Sequence, residues 1–318
     1  MARMLVREES FVSDKWGKPP SARSVEELLE AGVINLDKPS GPTSHQVTAW
    51  VRDILSIKKV AHGGTLDPNV SGVLPIATGK AVRAIDLTLK SDKEYVCLMK
   101  LHREKKEEDI RKVLLSFVGE IFQTPPVRSA VKRQMRVRKI HEIRIIEIRG
   151  RDILFRVSCD AGTYIRTLCY DVGEALGTGA HMEELRRVRS GNMREEESVR
   201  LQDIKDAFVF WKEEDDDSLM KKILMPFEKL LEPLPKIIIK DSAVDAICHG
   251  ADLAVVGIAR LDDEIVKGST VAIMTEKGEG IALATAEMSA ERILNAKEGI
   301  AAKVKRVFMK PGTYPKMW

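Results

Sequence analysis

The spacing of apolar positions divides the chain into segments of different period. Residues 1–24 are polar, with Pro19-Pro20 near their end, and predict an arm without a core of its own. Ser24 is an N-cap candidate for a short helix that Gly32 should stop. Residues 33–36 read as a strand, and Lys38-Pro39-Ser40-Gly41-Pro42 as a stiff turn. Val47, Trp50, Val51, Ile54 and Leu55 then mark one helical face, capped by Thr43 or Ser44. Residues 61–80 are rich in Gly, Pro and Thr and predict a loop-dominated stretch. Strands are expected around 95–101 and 143–158, where Ile153, Phe155 and Val157 alternate with Leu154, Arg156 and Ser158. A helix over 164–176 would turn Ile165, Leu168, Cys169, Val172 and Leu176 inward and end at Gly177. A second is expected over 182–189.

The acidic run at 213–217 reads most simply as a solvated loop or helix face. After Pro233 and Pro235 the pattern changes to short apolar stretches at 237–239, 253–259, 270–274, 280–284 and 301–308. Strands this short, spaced by Gly and Asp, predict a compact β-barrel or sandwich of about 80 residues. The expected organisation is therefore an arm over 1–24, a main domain over 25–232 and a small β domain over 233–318.

Composition adds mainly exclusions. Lys plus Arg total 52 against 48 Asp plus Glu, a net charge of +4, so a polyanion partner must be argued from clustering instead. The four cysteines are scattered without a C-x-x-C pair, and the six histidines form no H-x-x-x-H pattern. Disulfide scaffold and catalytic metal are poor fits, and buried thiols in a reducing cytoplasm are the default. No apolar run approaches the roughly 18 residues that a membrane span needs.

Three segments carry candidate chemistry. His62-Gly63-Gly64-Thr65-Leu66-Asp67-Pro68 combines backbone freedom with a proline that stiffens the chain just after the aspartate, and could present one carboxylate at a cleft. On loop chemistry alone, an Asp before Pro is more often a turn residue. Ala77-Thr78-Gly79-Lys80 ends like a P-loop, but Ala81 stands where Ser or Thr is needed. The second segment holds six basic residues and no acid, namely Arg128, Lys132, Arg133, Arg136, Arg138 and Lys139. It reads as a loop and helix edge suited to phosphates, or as an ordinary solvated face. The third is Asp160-Ala161-Gly162-Thr163-Tyr164-Ile165-Arg166, which puts an arginine in a first helical turn, where the helix dipole disfavours it. Pairing with a carboxylate is the simplest reason, and beside Asp67 it would keep that group ionised.

These residues resemble the motifs of TruB-type pseudouridine synthases. His62-Gly-Gly-Thr-Leu-Asp67-Pro looks like the catalytic motif, and the run from Asn35 through Lys38-Pro39 to Ser44 like the N-terminal one. Lys93-Glu-Tyr95, Gly162-Thr-Tyr-Ile-Arg166, Gly179-Ala-His181 and Leu185-Arg186-Arg187 come in the family's order. Within the family the chain is most similar to the archaeal homologues of dyskerin, the catalytic subunits of box H/ACA guide-RNA particles. Pro125-Pro126-Val-Arg128-Ser-Ala-Val-Lys132-Arg133 resembles their RNA-gripping loop, and the C-terminal part resembles a PUA domain, against which the arm would pack. The Thr-Asp-rich insertion of bacterial enzymes is missing; here the chain runs Leu101-His102-Arg103-Glu104-Lys105.

The resemblance implies an α+β fold: a mixed, mainly antiparallel sheet with flanking helices, plus a small barrel-like PUA domain. It implies isomerisation of uridine to pseudouridine, with breakage of the N1–C1′ bond, rotation of the base and rejoining through C5. No cofactor or metal is implied. Asp67 would be the catalytic carboxylate, with Tyr95 stacking on the flipped base, Arg166 holding Asp67 ionised and Leu185 walling the pocket. RNA contact would fall to Lys38, His62, Arg128, Lys132, Arg133 and Arg136, and to Gly250 and Ala251 in the PUA-like part. Implied partners are a box H/ACA guide RNA, substrate rRNA or tRNA, a small Nop protein, a Gar protein and a kink-turn-binding ribosomal-type protein. No membrane is involved, and the expected location is cytoplasmic. Two alternatives remain open: a stand-alone tRNA enzyme acting on the TΨC-arm uridine, and a non-catalytic guide-RNA scaffold. An Asp-dependent RNA hydrolase would need a second carboxylate or metal ligands.

Overall fold

The computed structural model describes residues 3–124 and 134–317. The basic residues Arg128, Lys132 and Arg133 lie outside them. The chain forms two compact units, one from Met1–Val33, Thr78–Ala84 and Leu224–Trp318, the other from Ile34–Ala77 and Ile85–Ile223.

In the second unit the sheet runs in the order Gly32–Lys38, Ser71–Thr78, Ala180–Ser190, Lys93–Leu101, Asp152–Cys159, Arg136–Arg149 and Gly119–Gln123. Ser71–Thr78 and Ala180–Ser190 are parallel, with Ser71 opposite Arg186 and Gly72 opposite Arg187. From Ala180–Ser190 to Gly119–Gln123 every pair is antiparallel. Strict alternation of burial along Lys93–Leu101 turns Tyr95, Cys97 and Met99 into the core, where they meet Phe155, Val157, Leu168 and Val172. The helix Ser44–Ile54 opens with a capping box in which Thr43 and Gln46 satisfy each other's backbone N–H. Helix Ile165–Leu176 ends on Gly177 in the left-handed conformation.

Three expectations are corrected. Residues 182–189 form strand Ala180–Ser190, not a helix. Glu and Arg favour helix locally, but pairing with a strand on either side overrides a propensity of tenths of a kcal/mol per residue. The stretch 61–80 contains strand Ser71–Thr78, almost wholly buried. Covered on both faces, it reads as an unbroken apolar run without alternation. Arg136, Arg138 and Lys139 stand on strand Arg136–Arg149 and not on a helix edge.

The first unit holds a sheet in the order Met4–Val6, Ile258–Asp262, Lys236–Ile239, Thr270–Thr275, Gly280–Ala286, Ile300–Val307 and Leu253–Ala254, around an Ile- and Ala-rich core. Met4–Val6 adds antiparallel to Arg260–Asp262, so the N-terminal arm contributes an edge strand. Buried carboxylates fasten the rest of it: Asp241 accepts from the Ser13 N–H at 3.0 Å, and Glu279 from the Lys18 N–H at 3.2 Å. The helix Val25–Glu30 starts on the expected cap, Ser24.

Candidate active site

Asp67 stands on the loop between strands Val60–His62 and Ser71–Thr78, with its side chain about half exposed. Its carboxylate is ion-paired with the guanidinium of Arg166, the second residue of helix Ile165–Leu176. The unfavourable position of that arginine is thus accounted for by a carboxylate 99 positions earlier in the chain.

The loop is held from three sides. Ser44 is buried, and its hydroxyl accepts from the Leu66 N–H at 2.8 Å while lying 3.0 Å from the Leu66 carbonyl, a two-way clip beside Asp67. Lys38 is fully buried and donates to the carbonyls of Pro39, Pro68 and Val70 at 2.7, 2.9 and 2.8 Å. Arg187, also buried, donates to Gly64 at 3.0 Å and to Val73 at 2.7 Å. Gly64 and Gly72 lie at φ of 121° and 104°, and a Cβ on Gly72 would collide with the backbone of Arg187.

A matching clip fixes the arginine. Buried Gln123 accepts from the Tyr164 N–H at 2.9 Å and donates to the Tyr164 carbonyl at 3.0 Å, so the residue before the helix is pinned at both backbone atoms. Thr163 closes the preceding turn on the Asp160 carbonyl.

Tyr95 is 9% exposed and faces Arg187 across the strand pair, hydrogen-bonded to its guanidinium. Burial raises the phenol pKa, so the hydroxyl stays protonated at neutral pH. Leu66 and Val70, on either side of Asp67, share one core with Tyr95 and Ile165, and Leu185 packs against it. Of the four proposed catalytic positions, Asp67 and Arg166 are in direct contact, while Tyr95 belongs to, and Leu185 borders, the core that their neighbours Leu66 and Ile165 share.

Lys38 requires a correction. An ammonium sealed beneath three carbonyls does not reach RNA; it organises the aspartate loop. Burial, with Arg187 nearby, lowers its pKa from 10.5 to about 8. His62 is half-buried, edge-on to His45 with ring centroids 4.9 Å apart, and its Nδ1 is buried without a partner. Burial and then the charges of His45 and Arg187 lower its pKa, so the ring is neutral. Arg136 sits half-buried opposite Gln123, while Gly250 and Ala251 are exposed just beyond helix Asp241–Cys248.

Arg187, Ser44 and Gln123 carry the geometry without having been assigned roles from the sequence. Arg187 and Ser44 had a signal in the motifs they belong to, Leu185-Arg186-Arg187 and the run from Asn35 to Ser44; Gln123 had none. Among the described residues, Asp92, His141 and Asp160 bring three ligand-type atoms within 4.8 Å, but His141 Nε2 already faces both carboxylates, at 3.6 and 3.1 Å. A cleft of about 280 Å³ is lined by Asp37, Lys38, Ser71, Arg186, Arg200 and Gln202. Asp67 is not among its lining residues, and Arg186 within it is neutralised by Asp37 and Glu195. No helix among the described residues is long and apolar enough to cross a membrane.

Comparison with known proteins identifies the family. The TruB family pseudouridylate synthase (N terminal domain) model matches residues 52–165, and the tRNA pseudouridylate synthase B C-terminal domain model matches 166–232. A PUA domain model matches 235–308 and a DKCLD (NUC011) domain model 1–48. The chain is 54% identical over 318 residues to a probable tRNA pseudouridine synthase B of Methanothermobacter thermautotrophicus, covering 100% of this chain and 98% of that protein. It is 52% identical over 315 residues to the protein of the same name from Methanocaldococcus jannaschii, covering 99% and 94%. Among solved structures, an H/ACA RNP bound to a substrate RNA containing 2′-deoxyuridine superposes with a TM-score of 0.94 at 49% identity, covering 100% and 98% of the chains. A Cbf5–Nop10–Gar1 complex does so with a TM-score of 0.94 at 51% identity, covering 99% and 97%.

Proposed function

Because the chain belongs to the TruB family of pseudouridylate synthases, we propose that it isomerises chosen uridines in RNA as the catalytic subunit of a cytoplasmic, guide-RNA-directed particle. The observation that carries this reading is the exposed Asp67–Arg166 pair on a loop locked by Lys38, Ser44 and Arg187. A solvent-accessible carboxylate paired with a guanidinium on a rigid loop suits attack on a ribose or ring carbon of an extruded nucleotide. Tyr95 would present its ring to the base, Leu185 would bound the pocket, and Arg166 would orient Asp67. Arg136 and His62, with Arg128, Lys132 and Arg133, would contact the RNA backbone, and Gly250 with Ala251 would meet guide RNA on the PUA-like part. Solved neighbours containing H/ACA RNA, Nop10 and Gar1 support the same class of partners here, with a kink-turn-binding protein joining through the RNA.

The relatives' names favour a second reading, a tRNA synthase that works without a guide. Asp67→Asn, assayed on a guided rRNA fragment and on bare tRNA, separates the possibilities. Loss of pseudouridine with retained RNA binding supports the catalytic assignment, whereas product formed by the variant refutes it. Activity of the unaltered protein on bare tRNA alone would favour the guide-free reading.

A further inference from the structure

Two histidines singled out by the sequence take no part in the pseudouridine chemistry: His181 of Gly179-Ala-His181, and His102, where the chain departs from the bacterial pattern. They meet at the end of the paired strands Lys93–Leu101 and Ala180–Ser190, where Lys100 lies opposite His181 and Leu101 opposite Ala180. His102 Nε2 lies 3.0 Å from His181 Nδ1, and the other nitrogen of His181, Nε2, lies 3.0 Å from Glu183 Oε2. The ring centroids are 5.2 Å apart at a 35° tilt, so the rings address each other through these nitrogens. All three side chains are open to solvent.

We infer that His102 and His181 form a two-imidazole site for a borderline transition-metal dication, with Glu183 as the carboxylate behind the second histidine. Ionised Glu183 can only accept a hydrogen bond, so His181 Nε2 carries the proton and its Nδ1 lone pair points at His102. That is the carboxylate–histidine–metal arrangement that fixes a ligand's tautomer. Two nitrogens about 2.0–2.1 Å from one ion stand about 3 Å apart when they occupy adjacent corners of a square or octahedron, close to the observed 3.0 Å. The rings now meet nearly end to end, and rotation of these two exposed side chains turns both lone pairs onto the ion. Without the ion, His102 donates the Nε2 proton across the gap. With it, that proton moves to Nδ1 and the metal takes its place, so no net proton is gained or lost.

The backbone holds His102 in place independently of any ion. Its N–H donates to the Gly179 carbonyl at 3.0 Å, and a Cβ at Gly179 would run into the His102 ring. Imidazole pairs select nickel, copper or zinc over magnesium. The site staples the strand bearing Tyr95 to the strand bearing Leu185 and Arg187, and its occupancy does not depend on the reading of Asp67.

The test is calorimetric titration of the full chain, free of any histidine tag and stripped with EDTA, using NiCl2, ZnCl2 and MgCl2. One site for nickel and zinc and none for magnesium is expected. His102→Gln and His181→Gln should each abolish it, and Glu183→Gln should weaken it about 10–100-fold. Circular dichroism checks that each variant is folded, and His141→Gln should leave binding intact. No nickel or zinc binding by the unaltered chain, or binding that survives His181→Gln but is lost in His141→Gln, overturns the site.

Discussion

Replacing Lys38 by Met keeps the length of the side chain and removes only the ammonium. Three carbonyls lose a charged donor, but Pro68 O still receives the Gly41 N–H and Pro39 is open to solvent, so Val70 O is the buried acceptor left without its donor. A buried, unsatisfied acceptor costs about 1–3 kcal/mol. Against this, the variant no longer buries a charge. The drop from 10.5 to about 8 corresponds, at about 1.4 kcal/mol per unit, to about 3 kcal/mol relieved at pH 7. The two effects nearly cancel, so stability should stay within about 2 kcal/mol of the unaltered protein and the variant should fold. Catalysis should suffer more, because the released loop carries Asp67 and a displacement of about 1 Å can lower turnover about 100-fold. Single-turnover kinetics at saturating RNA should show that fall, while RNA affinity and its salt dependence remain those of the unaltered protein. Weaker binding with a shallower salt slope at unchanged turnover would refute the reasoning and return Lys38 to the RNA interface.

The same group sets a pH dependence. Its folded pKa lies below its unfolded value, so between about pH 8 and 10.5 the unfolded chain holds more protons, and the unaltered protein should gain stability relative to Lys38→Met as pH rises through that window. Urea denaturation of both proteins at pH 7.5 and 10 reads the change, and a loss of stability by the unaltered protein relative to the variant contradicts it. Arg166→Gln should leave stability within about 0.5 kcal/mol, because the pair is half exposed, yet lower turnover about 100-fold. A drop in melting temperature without kinetic loss would make the pair structural. Arg187→Met should cost about 1–3 kcal/mol by orphaning the buried Val73 carbonyl, the Gly64 carbonyl being only partly buried, and denaturation at unchanged midpoint would contradict that.

What the sequence determined by itself is local. Thr43 and Ser24 announced their helices because a capping box is closed within four residues. The alternation through residues 153–157 announced a strand because burial on one face leaves a period of two. Asp67 and Arg166 were legible as a pair because Arg166 sits badly at the start of its helix, an anomaly that a distant carboxylate resolves, and because the family motifs hold both. Tertiary structure decided the rest. Ala180–Ser190 is a strand because it lies between two others, and Lys38 is a scaffold because the Pro68 and Val70 carbonyls, about thirty residues on, converge on it. No window of sequence contains those partners. Pairing and burial are settled by contacts across dozens of residues, whose free energies exceed the local preferences that a sequence displays.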